Sequence, residues 1–140
     1  MEFYTLASSS AGNAALVCHE NTRVLIDAGI SCRRIAHALA PLGLATADLD
    51  GILLTHEHID HVRGLETLLK KCAAPLYASS GTAAALRCPP EQLHTFAAGE
   101  RFSIGALAVR PFRTSHDARG SVGYRIDSSG GSLAVLTDTG

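Results

Sequence analysis

Apolar and polar positions alternate at both ends of the chain and fall at helical spacing in its middle. Phe3–Leu6 and Asn13–His19 read as strands, joined by Ala7-Ser8-Ser9-Ser10-Ala11-Gly12-Asn13, a small polar loop rich in turn formers and donors. A turn at Asn21 leads to a third strand, Thr22–Asp27, and the three make an antiparallel meander. Ala28-Gly29 breaks the pattern. Ser31 then suits an N-cap, with Ile35, Ala38, Leu39 and Leu42 at i, i+3, i+4 and i+7, and Gly43 suits the helix end. Arg33, Arg34 and His37 fall on the outer, solvated face of that helix.

The run Ile52–Thr55 reads as a buried strand. A second helix is expected from Gly64 or Leu65 to Cys72, with Leu65, Leu68 and Leu69 inward and Lys70 and Lys71 in the last turn, where positive charge suits the dipole. Leu76–Ala78 is a short strand, Ser80 caps a helix through Leu86, and Leu93–Phe96 is a strand. Glu100–Ile104 and Leu107–Thr114 flank a turn at Gly105. Ser121–Asp127 and Ser132–Thr137 flank Ser128-Ser129-Gly130-Gly131, a hairpin signal. Strands, then a βα segment, then strands again predict an α/β (α+β) chain, its sheet carrying helices on the outer face.

Length and composition narrow this further. The 140 residues suit one domain, and 46% hydrophobic content is enough for a core. A net charge of −1 lacks the basic bias of a general nucleic-acid binder. Cys18, Cys32, Cys72 and Cys88 stand apart with no C-x-x-C, as free buried thiols of a reducing compartment would. The N-terminus carries no basic or apolar targeting segment, and no run approaches the length of a membrane span. A soluble, cytoplasmic protein is expected.

The candidate chemistry lies in Thr55-His56-Glu57-His58-Ile59-Asp60-His61, directly after the buried strand. In extended chain His56 and His58 project to one side and can reach one cation. Asp60 and His61 can swing back toward a second cation if the chain turns helical there. Imidazole and carboxylate suit zinc, and also manganese or iron. A chance run of this kind is expected in on the order of one in a thousand such chains, so the cluster is read as a site rather than a solvated loop. Glu57, between two ligands, points the other way. His19, His37 and His94 have no ligand-like neighbours.

Thr55-His56-Glu57-His58-Ile59-Asp60-His61-Val62-Arg63-Gly64 resembles the H-x-H-x-D-H-x-x-G signature of the metallo-β-lactamase superfamily of binuclear metallohydrolases. The start F-Y-T-L-A-S-S-S-A-G-N-A, L-I-D-A-G, D-G-I-L-L-T-H-E-H-I-D-H, S-H-D and L-T-D-T-G resemble its YycJ/WalJ-type branch. The resemblance implies an αββα sandwich, of which residues 1–140 match the first half and the start of the second, a domain cut short at its C-terminus. It implies two divalent ions, with His116 as third ligand of the first and Asp138 bridging to the second. Asp27 is implied to support the site by accepting hydrogen bonds from the His loop rather than by binding metal. No histidine follows His116, so the second ion is left with Asp60, His61 and Asp138.

Two such ions, about 3.5–4 Å apart, acidify a shared water and polarise a phosphoryl or carbonyl oxygen. Asp60 is expected to orient the attacking hydroxide. Members of the branch act as cytoplasmic 5′-to-3′ DNA exonucleases, and Arg113 and Arg119, flanking His116, are the candidate phosphate contacts. A glyoxalase-II-like thioester or lactone hydrolase and a non-catalytic metal-binding fragment are the alternatives. An inner sheet face left open by the missing half would favour a dimer.

Overall fold

The computed structural model describes residues 1–114 and 120–136. A six-stranded sheet runs in chain order: β1 (Glu2–Ser9), β2 (Gly12–His19), β3 (Thr22–Ile26), β4 (Gly51–Leu53), β5 (Leu76–Ser79) and β6 (Leu93–Phe96). Tight turns join β1 to β2 and β2 to β3, so these pair antiparallel, and the expected meander is present. From β3 onward the pairing is parallel, because each connection is a crossover with helix in it. These are α1 (Cys32–Leu39), then α2 (Ile59–Val62) with α3 (Leu65–Lys71), then α4 (Ser80–Ala83).

The second sheet is an antiparallel meander of β7 (Phe102–Ile104), β8 (Leu107–Arg113), β9 (Val122–Ser128) and β10 (Gly131–Val135), in the order β10-β9-β8-β7. Its strands alternate. Leu107, Val109 and Pro111 of β8 are buried, whereas Ala108 and Arg110 are exposed.

Two cores follow from the period of two in β4. Ile52 and Leu54 face the helices and pack with Ile35, Leu39, Leu65 and Leu68. Leu53 faces the other way and packs, with Val17, Val24 and Ile26, against Val109, Tyr124 and Ile126 of the second sheet. The layers are thus helix, sheet, sheet. Among the described residues no helix covers the outer face of the second sheet.

Local chemistry sets the helix ends. The Ser31 hydroxyl accepts from Arg34 N at 3.2 Å and starts α1. A 3-10 turn over Ala40–Leu42 then ends at Gly43 in the left-handed region, φ 76°. The expected helix from Ser80 to Leu86 is corrected. Ser79 is the cap, accepting from Thr82 N, and α4 stops at Ala83. Ala84 and Ala85 are exposed, so the alanine run has helix propensity but no face to bury.

The inner face of the first sheet is covered from β2 onward. The opening expected there narrows to a rim beside β1 and β10, where Phe3 and Leu136 are exposed. The four cysteines are free, and each is half-buried rather than fully buried. No described helix is long and apolar enough to cross a membrane.

Candidate metal centre

The carboxyl ends of the parallel strands gather the site, as they do in open α/β sheets. Asn13 opens β2, Asp27 follows β3, Thr55 to His61 follow β4, and all meet at this edge. Asp27 is in the left-handed region, φ 62°, a conformation Asp tolerates better than most residues. Its N–H continues the ladder to Leu53 O at 2.8 Å.

Past Thr55 the chain reaches His58 in extended conformation and then turns into α2. His56 and His58 therefore share a side, with ring centroids 4.7 Å apart and planes at 81°. The α2 turn brings His61 back against His56, ring centroids 3.9 Å apart. One ligand atom each of His56, His58 and Asp60 lies within 4.8 Å of the others. His56 and His61 are fully buried, Asp60 is partly covered, and His58 is exposed. Asp60 Oδ2 is 3.4 Å from His61 Nε2.

Close backbone approach fixes this loop. A Cβ on Gly29 would stand 1.8 Å from Asp60 O, and one on Gly64 would stand 2.1 Å from Ile30 O. Ala28 N donates to His61 O, and Gly64 N donates to Ala28 O, both at 2.8 Å. The glycine of the signature is thus a packing requirement between two loops.

Asp27, 1% exposed, accepts from the His loop. Its Oδ1 takes Thr55 N at 2.8 Å. Its Oδ2 is 2.7 Å from both Thr55 Oγ1 and His61 Nδ1. Thr55 Oγ1 in turn lies 2.9 Å from His56 Nδ1. The sequence reading missed Thr55, and also Asn13. The Asn13 amide nitrogen donates to Ser9 O at 2.9 Å and to Asp60 Oδ2 at 3.3 Å, and it lies 3.4 Å from His61 Nε2. Asn13 had been visible only as one donor in a polar loop.

Tyr124 ties the second sheet to the base of the site. Its buried hydroxyl donates to Leu54 O. Burial, then the neighbouring Asp27 charge, pushes this phenol well above its usual range. Val122 N donates to Thr55 O at 2.9 Å, a second tie between the sheets.

Glu57 leans away from the histidines, its Oε1 accepting from Thr82 Oγ1 at 3.5 Å. His19 faces Ser129 Oγ at 3.2 Å, and His94 stacks on Tyr77, ring centroids 5.2 Å apart. Arg113 is exposed and lines a cleft with Ser79, Ser80, Phe96 and Gly120. His116, Arg119 and Asp138 lie outside the described residues.

The donor set fits divalent metal. Imidazole nitrogens of His56 and His58 and a carboxylate oxygen of Asp60 lie within 4.8 Å of one another, the His56 and His61 rings are buried, and the Nδ1 atoms of those two rings are engaged by neighbouring oxygen atoms.

A family model described as "Beta-lactamase superfamily domain" matches residues 22–140. Exodeoxyribonuclease YycJ of Bacillus anthracis is 35% identical over 145 residues, covering 100% of this chain and 55% of that protein. Exodeoxyribonuclease WalJ of Streptococcus pneumoniae is also 35% identical, covering 99% and 54%. The chain thus spans about half the length of these relatives. Among solved structures, Rm3 metallo-beta-lactamase superposes with a TM-score of 0.79 at 24% identity, over 94% of this chain and 56% of that one. The fold is that of metallo-β-lactamases.

Proposed function

The chain belongs to the family described as the beta-lactamase superfamily domain, and on that premise we propose that it carries a two-metal hydrolytic centre acting on phosphodiesters, with DNA as substrate. The observation that carries the hydrolytic reading is the convergence of His56, His58 and Asp60 within 4.8 Å, beside buried His61. The DNA reading is supported by 35% identity to two exodeoxyribonucleases.

In this reading His56 and His58, with His116, would hold one ion, and Asp60, His61 and Asp138 would hold the other. Bound divalent metal, zinc by donor chemistry and manganese or iron next, lowers the pKa of water and polarises a phosphoryl oxygen. Asp60 orients the attacking oxygen, and its own carboxylate is steadied by the Asn13 amide. Arg113, the last residue of β8, and Arg119 would offer phosphate contacts. The Asp27 side of the loop is buried and hydrogen-bonded, which would hold the ligands in place during turnover.

The test begins with metal content per chain, on the protein and on His58→Ala. His58 is exposed, so its loss changes stability by less than about 0.5 kcal/mol. Near two equivalents of metal are expected, falling in the variant. Loaded protein is then given end-labelled DNA and, separately, a thioester. Trimming of DNA from the 5′ end, absent in His58→Ala, supports the proposal. Thioester turnover without DNA cleavage would replace it with the glyoxalase-like reading.

A further inference from the structure

We infer that Thr55 is a positioning residue of the metal centre: its hydroxyl links Asp27 to His56, so that one buried carboxylate sets the ring tautomer of a histidine on each side of the site. The inference rests on the reading of His56 and His61 as ligands.

The hydroxyl of Thr55 has one proton to give. Its oxygen is 2.7 Å from Asp27 Oδ2 and 2.9 Å from His56 Nδ1. A carboxylate has no proton, so the hydroxyl proton must point at Oδ2. The opposite assignment would set lone pairs of two oxygens against each other at 2.7 Å. With its proton committed, Thr55 Oγ1 can only accept from His56. The proton of neutral His56 is then on Nδ1, and Nε2 keeps its lone pair.

Asp27 settles His61 more directly. Nδ1 of His61 is 2.7 Å from Oδ2 and 3.5 Å from Thr55 Oγ1, so both neighbours accept from it. Its proton is on Nδ1 and its Nε2 is bare. The Asn13 amide, 3.4 Å from that Nε2, is a donor and agrees with this assignment. Thr55 N donates to the other oxygen, Oδ1, at 2.8 Å, which keeps the hydroxyl from rotating away with its backbone. The result is a branched chain: Asp27 to His61 in one step, and Asp27 to His56 in two.

The relay differs from the direct support expected of Asp27. It makes His56 depend on a hydroxyl, and it gives the two ligands separate dependence on Thr55. Ring tautomers are read in the metal-free protein by two-bond proton–nitrogen correlation on 15N-histidine-labelled chain at mildly alkaline pH. His56 and His61 should both be protonated at Nδ1 and bare at Nε2. In Thr55→Val, of the same shape, His56 should move toward the Nε2–H form while His61 holds. Thr55→Ser should restore the wild-type pattern. Zinc titration should show a loss of about tenfold in affinity for Thr55→Val and little for Thr55→Ser.

A wild-type spectrum with the proton of His56 on Nε2 overturns the relay. So does Thr55→Val with unchanged tautomer and unchanged zinc affinity. If the backbone spectrum shows Thr55→Val unfolded, the wild-type and Thr55→Ser tautomers decide alone. Tautomers as inferred in a protein that takes up no zinc support the relay and overturn the metal reading instead.

Discussion

Asp27 Oδ2 lies 2.7 Å from His61 Nδ1, although 34 residues of chain separate them. The contact exists because β3 and β4 are parallel neighbours, so residues just past their carboxyl ends stand side by side. Around it the loop bonds become cooperative: the same carboxylate receives the backbone N–H of Thr55 and faces its hydroxyl.

Removing that carboxylate should therefore cost both stability and metal. Asp27→Ala removes the carboxylate that the buried Thr55 N–H and His61 Nδ1 donate to. Each such loss costs about 1–3 kcal/mol. A loss of about 3 kcal/mol in urea unfolding of the metal-free protein is expected, together with at least a tenfold loss of zinc affinity. Unchanged unfolding would show that the bonds add nothing net.

Gly29 should be sensitive for a different reason. Its added Cβ would sit 1.8 Å from Asp60 O and 2.6 Å from Asn13 N, both backbone atoms. Gly29→Ala must push the His loop outward, at a cost of about 3 kcal/mol, and should weaken zinc binding. Gly43→Ala is the control. Gly43 has φ 76° and open space around its Cβ position, so only the left-handed backbone cost of about 1–2 kcal/mol applies. Zinc titration should separate the two, with Gly43→Ala indistinguishable from wild type.

Most of this architecture was legible in the residues. The apolar run from Ile52 to Thr55 marked a buried strand, and the structure divides the core between its faces, Ile52 on one and Leu53 on the other. Ser31 and Gly43 marked the ends of the helical stretch, and the i, i+2 spacing put His56 and His58 together. Thr55 and Asn13 were not legible as site residues. Their partners lie 28 and 47 residues away, and only the order of strands in the sheet brings them there. The helix at Ser80 was misread because propensity alone favoured it. Burial decided its length, and Ala84 and Ala85 have nothing to pack against.

Asn13 offers a test of the second half of the site. Its amide reaches Asp60 Oδ2 and stands beside His61 Nε2, so Asn13→Ala should loosen these two proposed ligands more than His56 and His58. The fold should lose about 1 kcal/mol, because Asn13 is only half-buried and water can replace its bond to Ser9 O. Stepwise zinc titration should show the weaker of two sites lowered by about tenfold with the tighter one unchanged. Equal loss at both would place Asn13 in support of the whole loop.

Tyr124 predicts an alkaline limit to stability. Its phenol is pushed well above the reference value of 10.0, first by burial and then by the charge of Asp27. In the unfolded chain the group titrates near 10.0, so above that pH the unfolded state binds fewer protons than the folded one. Stability then falls as pH rises, with the contribution fully present below pH 10 and lost on the way up to the folded-state value. Tyr124→Phe removes this slope but leaves Leu54 O, one residue before the relay, without its buried donor. Melting curves between pH 8 and 11 should show the variant lower by about 1–3 kcal/mol at pH 8, with a shallower decline above pH 10. Parallel curves for the two proteins would mean that the phenol is not desolvated in solution and that the two sheets are less closely joined beneath the site.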